Sequence, residues 1–94
     1  MRTIIAFDIS DDKKRYRVVK VLHEHATRVQ KSVFEAPLLE RASYLRLRSR
    51  LERLIDPGTD SLRYYRLCAT CTASIEHYGA GAGVLDDPLS VVVI

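Results

Sequence analysis

The sequence predicts an α+β domain: one antiparallel sheet carrying two helices on a single face. Three observations predict it. The chain opens with a short, almost wholly apolar run, Thr3 to Ile9. Two later stretches repeat apolar residues at helical spacing. The runs flanking those stretches are rich in β-branched and aromatic residues and too short for ordinary helices. At 94 residues and 47% hydrophobic content, the chain suits one domain with one core. A chain this short often completes its core by pairing with a second copy.

Thr3 to Ile9 has the length of one strand, and its apolar character places it at the centre of the sheet, covered on both faces. Ser10, Asp11 and Asp12 offer capping oxygens for a helix that begins near Asp12 and ends near His25. Tyr16, Val19, Leu22 and Ala26 mark its core stripe, widened by Val18 and Val21. "RVQKSVFEA", Arg28 to Ala36, reads as extended. Its alternation shifts between Val29 and Phe34, which predicts a bend near Ser32 and two short strands. A second helix covers about Glu40 to Ile55, with Leu47, Leu51 and Leu54 facing the core beside Tyr44 and Ile55. Asp56-Pro57-Gly58 stops it. Ser61 to Cys68, "SLRYYRLC", alternates as a further strand. The glycines of "GAGAG" predict a flexible connector, and Leu89 to Ile94 a last apolar strand.

The order strand, helix, strand, strand, helix, strand is that of a ferredoxin-like βαββαβ sandwich. Residues 1–78 would form this domain, and residues 79–94 a linker and C-terminal edge strand. That strand is expected to pair with a sheet edge across a homodimer, which would also hide an otherwise adhesive segment.

The formal charge is +3 and the sequence pI about 9.1. The excess is concentrated: Lys13, Lys14, Arg15, Arg17, Lys20, Arg28 and Lys31 face only Glu24 across that span. Such clustering suits a polyanion, above all nucleic acid, or else a solvated helix face. No secretory pattern is read, no apolar run approaches the roughly 20 residues needed to cross a bilayer, and two cysteines do not make a disulfide framework. The expectation is a cytoplasmic protein with no membrane partner.

Asp8 is the most informative residue, because it sits at the carboxyl end of the central strand, where an unpaired charge is costly to bury. It is either a strand-end carboxylate hydrogen-bonded by the following turn or a ligand for a hard cation. Magnesium often takes only one or two protein carboxylates. Two Asp8 side chains about 4 Å apart would repel by roughly 4 kcal/mol at an effective dielectric near 20, and a divalent cation between them would relieve this and activate water. Ser10, Asp11 and Asp12 are explained by capping, and acids there suit the helix dipole. Lys13, Lys14 and Arg15 do not suit it, which hints at a phosphate-facing role. Cys68-Ala69-Thr70-Cys71 reads as small packing residues; a zinc site shared between subunits or a redox pair are the alternatives, the latter needing a helix start. His23, His25 and His77 read as surface or packing residues. The arginines of the second helix either extend a DNA-binding surface or form a solvated face.

Three segments, "FDISDDKKRYRVVKVL", "RVQKSVFEAPL" and "LERLIDPGTDSLRYYRLC", in this order and spacing, resemble the CRISPR-associated protein two family over about Arg2 to Cys71. The closing "VVVI" is in keeping. The resemblance implies a ferredoxin-like homodimer with Asp8 of each subunit at the interface as the catalytic, magnesium-binding residue. It further implies that Arg15, Arg17 and Arg28 contact nucleic acid, with Ser32 and Phe34 in the same motifs; the charge pattern adds Lys13 and Lys14 to the nucleic-acid contacts, and Ser10 is read as a supporting residue. Family members are assigned metal-dependent cleavage of single-stranded RNA or double-stranded DNA, and bridge dimers of the CRISPR integrase during spacer acquisition. Phe7 departs from the family, where many relatives carry tyrosine. The alternatives are a purely structural scaffold for DNA and integrase, and a toxin-like ribonuclease of the VapD kind.

Overall fold

The apolar run at the start of the chain becomes the strand on which the fold is built. The computed structural model describes residues 1–76 and residue 78; the expected connector and the strand over Leu89 to Ile94 lie outside the described residues. The elements are β1 (Arg2–Asp8), α1 (Asp12–Leu22), β2 (Thr27–Gln30), β3 (Val33–Ala36), α2 (Arg41–Glu52), β4 (Ser61–Leu67) and α3 (Ala69–Ala73). The strands form one antiparallel sheet in the order β2-β3-β1-β4. β3 lies between β1 and β2, the split βαβ arrangement of the predicted ferredoxin-like fold.

β1 aligns both neighbours: Ile5 lies opposite Phe34 of β3 and Tyr64 of β4. Because strand side chains alternate, this register divides the sheet into two faces. Thr3, Ile5 and Phe7 share one face with Phe34, Ala36, Leu62, Tyr64 and Arg66. That face packs under the helices, joining Val18 and Leu22 of α1 and Tyr44, Leu47 and Leu51 of α2 in one core. The other face carries Ile4, Ala6 and Asp8 beside Val33, Glu35, Arg63, Tyr65 and Leu67. α1 and α2 leave it uncovered: Ile4, Ala6, Val33 and Leu67 are only half-buried, while Arg2 and Glu35, on the part of this face nearer α3, are buried. The central strand is therefore covered by helices on one face, where the sequence predicts cover on both.

Tyr16 corrects the predicted core stripe. It is 68% exposed, whereas Val18 and Leu22 are fully buried. Steps of three residues leave a helix face by about 60° each, so the ladder from Tyr16 through Val19 to Leu22 drifts off its face by about 120°. α1 also ends at Leu22, earlier than predicted, as Glu24 and His25 donate to the carbonyls three residues back in a tightened turn. The bend predicted near Ser32 is a two-residue turn, Lys31-Ser32, preceded by a register shift between Arg28 and Gln30. α3 is an element that the sequence reading does not contain.

Candidate functional site

Asp8 ends β1 opposite Ser61, the first residue of β4, and points to the open face. The next residue, Ile9, is buried in the core and fixes the chain just beyond it. Phe7 donates its backbone N–H to the carbonyl of Ser32, 3.0 Å away, which docks the β2–β3 turn against the end of β1. The Asp8 carboxylate is exposed. Among the described residues no side chain or turn amide donates to it, so the strand-end capping role is not taken up. It lines a shallow concavity of about 250 Å³ with Ala6, Phe7, Ser61 and Arg63. Arg63 is a cation that sequence reasoning missed. Alternation alone does not say which β4 side chains share the face of Asp8; the pairing of Asp8 with Ser61 does.

The basic flank begins at once. Asp11 is the N-cap of α1, its Oδ2 accepting the Lys14 backbone N–H at 2.8 Å. Ser10 is exposed and takes no capping role. Arg15 donates Nη1 to the Ile9 carbonyl at 3.0 Å and pairs with Asp12 through Nη2. It thereby ties the first turn of α1 to the segment that follows Asp8. Lys13 and Arg17 are exposed and Lys14 half-exposed; among the described residues their side-chain nitrogens have no partner. Arg28 donates Nε and Nη2 to the Lys31 carbonyl at 3.1 and 2.6 Å, and its guanidinium lies 5.6 Å from the centre of the Phe34 ring. Phe34 is fully buried, in contact with Phe7 and edge-on to His23. Its place is in the core beneath the site, and Ser32 contributes through its backbone.

The arginines of α2 are largely engaged within the fold. Arg50 donates to both carboxylate oxygens of Glu24 at 3.2 Å, linking α2 to the turn after α1 and holding that carboxyl below its ordinary value. Arg48 donates to Glu52 and lies over the rings of Tyr44 and Tyr64. Burial and the Glu52 carboxylate raise the Tyr64 phenol well above its ordinary value.

The two cysteines are exposed and free, so they are not packing residues. Cys68 precedes α3 as its N-cap and Cys71 lies in its first turn. The backbone N–H and thiol of Cys71 lower the pKa of Cys68, while the Cys68 sulfur raises that of Cys71. Among the described residues no three His, Cys, Asp or Glu side chains are grouped to hold a metal. No described helix is long and apolar enough to cross a membrane.

Topology and register define a small ferredoxin-like α+β protein whose central strand ends in an exposed carboxylate. More narrowly, the family model described as CRISPR associated protein Cas2 matches residues 1–75, and the chain belongs to that family. The CRISPR-associated endoribonuclease Cas2 3 of Chloroflexus aurantiacus is 43% identical over 92% of this chain and 91% of its own length. Among solved structures, TT1823 of Thermus thermophilus superposes with a TM-score of 0.76 at 36% identity, covering 86% of this chain and 93% of that one. Streptococcus pyogenes Cas2 gives 0.72 at 30% identity, covering 84% and 100%.

Proposed function

We propose that the protein is a dimeric, metal-dependent endonuclease of CRISPR adaptation that also serves as a nucleic-acid-binding scaffold for the CRISPR integrase. The observation that carries this reading is the Asp8 carboxylate: exposed, at the end of the central strand, and without a partner among the described residues. A carboxylate left solvated on a rigid strand is preorganised for a ligand that it does not find within its own chain.

Asp8 fits magnesium as half of a site, since that ion prefers oxygen ligands and keeps several waters; a second copy would supply the other half. When bound, the ion would activate water and neutralise charge on the phosphodiester. The remaining work falls to the chain itself. Arg63, beside Asp8, suits a phosphate oxygen. Arg17, Lys13 and Lys14 lie along the start of α1 with their side-chain nitrogens unengaged and suit the flanking backbone. Phosphate contacts of this kind position nucleic acid without reading its sequence, and their affinity falls with salt.

The test compares wild type with Asp8→Asn for magnesium-dependent cleavage of single-stranded RNA and duplex DNA, at matched dimer content. The reading expects loss of cleavage in the variant with nucleic-acid binding retained. Equal cleavage by both proteins, or by neither, removes Asp8 from catalysis. A second reading, the scaffold alone, draws on Lys13, Lys14 and Arg17, whose unengaged side chains need no metal to hold phosphate. On that reading Asp8→Asn keeps integrase binding and the wild type shows no cleavage.

A further inference from the structure

The exposed face of α1 holds a second feature, distinct from the Asp8 concavity. Asp12, Arg15, Tyr16 and Val19 stand at i, i+3, i+4 and i+7, so they share one side of the helix. With Arg28 of β2 they line a concavity of about 300 Å³. Val19 is half-buried and supplies an apolar floor against the core. Tyr16 stands exposed with no described polar partner for its hydroxyl. Both guanidinium groups are anchored from below: Arg15 by the Ile9 carbonyl, Arg28 by the Lys31 carbonyl and the face of Phe34. Arg28 retains Nη1 outside these bonds. The one acid present, Asp12, is already paired with Arg15. An aromatic ring, an apolar floor and two fixed cations meet in one place.

We propose that this concavity takes an unpaired base of a single-stranded nucleic acid, stacked on Tyr16, with its adjoining phosphate held by Arg15 and Arg28. The inference rests on the nucleic-acid-binding reading above and adds to it a subsite for a base, on Tyr16, a residue that reading does not use. Cations alone do not distinguish single strands from duplexes, since both present phosphates. An exposed ring does, because a paired base offers its π-face to its neighbours in the stack and not to a side chain. The ring carries no base-reading donor pattern, so the preference is for unpaired structure and not for sequence.

The experiment measures binding of the full chain, by fluorescence anisotropy at fixed salt, to labelled single strands and to a hairpin-capped duplex of the same sequence. DNA and RNA strands are run as separate arms. Tyr16→Ala is expected to weaken single-strand binding by about tenfold, leave duplex binding within about twofold, and leave thermal unfolding unchanged, because the ring is exposed. Tyr16→Phe should restore single-strand binding, and 2-aminopurine in the strand should be quenched by wild type and not by Tyr16→Ala. Equal losses on both ligands, or none on either, overturn the proposal. Arg15→Ala and Arg28→Ala separate the two levels of argument. If they weaken both ligands while Tyr16→Ala does nothing, the stacking proposal fails and the nucleic-acid reading stands. If wild type binds neither ligand, both fall.

Discussion

Arg28 is read from the sequence as a phosphate contact, yet the structure places it under strong local demands, and Arg28→Lys separates the two roles. In the folded protein the guanidinium closes the β2–β3 turn with two hydrogen bonds to the Lys31 carbonyl, at 3.1 and 2.6 Å, and lies 5.6 Å from the Phe34 ring centre. The neighbouring Ser32 carbonyl accepts the Phe7 N–H, so the clamped turn braces the strand end that presents Asp8. Lysine keeps the charge but lacks the planar fork. One charge-assisted hydrogen bond is lost at an exposed site, where its net worth is about 0.5–1 kcal/mol after screening. Poorer stacking on Phe34 costs up to about 0.5 kcal/mol more. The sum is about 1 kcal/mol, which for a domain of this size lowers Tm by roughly 4–8 °C. Unfolding must be followed at equal protein concentration, because association shifts Tm. Nucleic-acid affinity at fixed salt should change little and its salt slope not at all, since the number of neutralised phosphates is the same. A Lys variant with unchanged Tm and sharply weakened binding would refute the clamp and make the fork a phosphate ligand first.

Two further outcomes follow from the charges of the fold. Burial raises the carboxyl of Glu35 above its ordinary value, against the opposing pull of Arg2; the folded state therefore holds this proton more tightly than the unfolded state. Stability contributed here is fully present below the unfolded value and is lost as pH rises through the folded one, so urea unfolding across mildly acidic to neutral pH should show a declining limb that Glu35→Gln flattens. Cys68, lowered by the N–H and thiol of Cys71, should be alkylated by iodoacetamide before Cys71, and Cys71→Ala should slow it; peptide mass spectrometry that finds Cys71 modified first contradicts the arrangement.

The fold was legible because its signals were local and redundant. The apolar run before Asp8 could only be a strand, and the turn chemistry at Asp56-Pro57-Gly58 is realised as an Asx-type contact from the Gly58 N–H to Asp56. What the sequence could not convey was which side of each element faces which neighbour. Tyr16 satisfied a spacing of three and still lies across the helix from Val18, because two residues advance a helix by about 200°. Arg63 alternates correctly along β4, but only the β1–β4 register brings it beside Asp8. α3 spans five residues, Ala69–Ala73, too few for a periodic signal, so the cysteines lost the helix start that gives their two thiols different acidity. Asp8 was singled out for a chemical reason, the cost of burying a carboxylate at the end of an apolar strand; the structure avoids that cost by leaving the carboxylate exposed, and the register supplies its surroundings.

That register also limits how two copies can share one cation. Among the described residues β1 has one strand, β4, between it and one edge of the sheet, and two, β3 and β2, between it and the other. With strands about 4.8 Å apart, pairing through β4 edges leaves the two β1 strands three spacings, about 14 Å, from each other; pairing through β2 edges leaves them about 24 Å apart. Side chains stand perpendicular to the sheet and recover little of that distance. Packing the open faces together instead sets the sheets about 10 Å apart. An Asp side chain reaches about 3 Å from its strand, so two of them can approach to about 4 Å. Oxygens on opposite sides of a magnesium ion, each 2.0–2.1 Å from it, stand about 4 Å apart. The open face has the apolar content for such a contact in Ile4, Ala6, Val33, Tyr65 and Leu67. An association made through strand edges alone would therefore suit a scaffold, and only one made through the face that carries Asp8 would bring the two carboxylates to one cation.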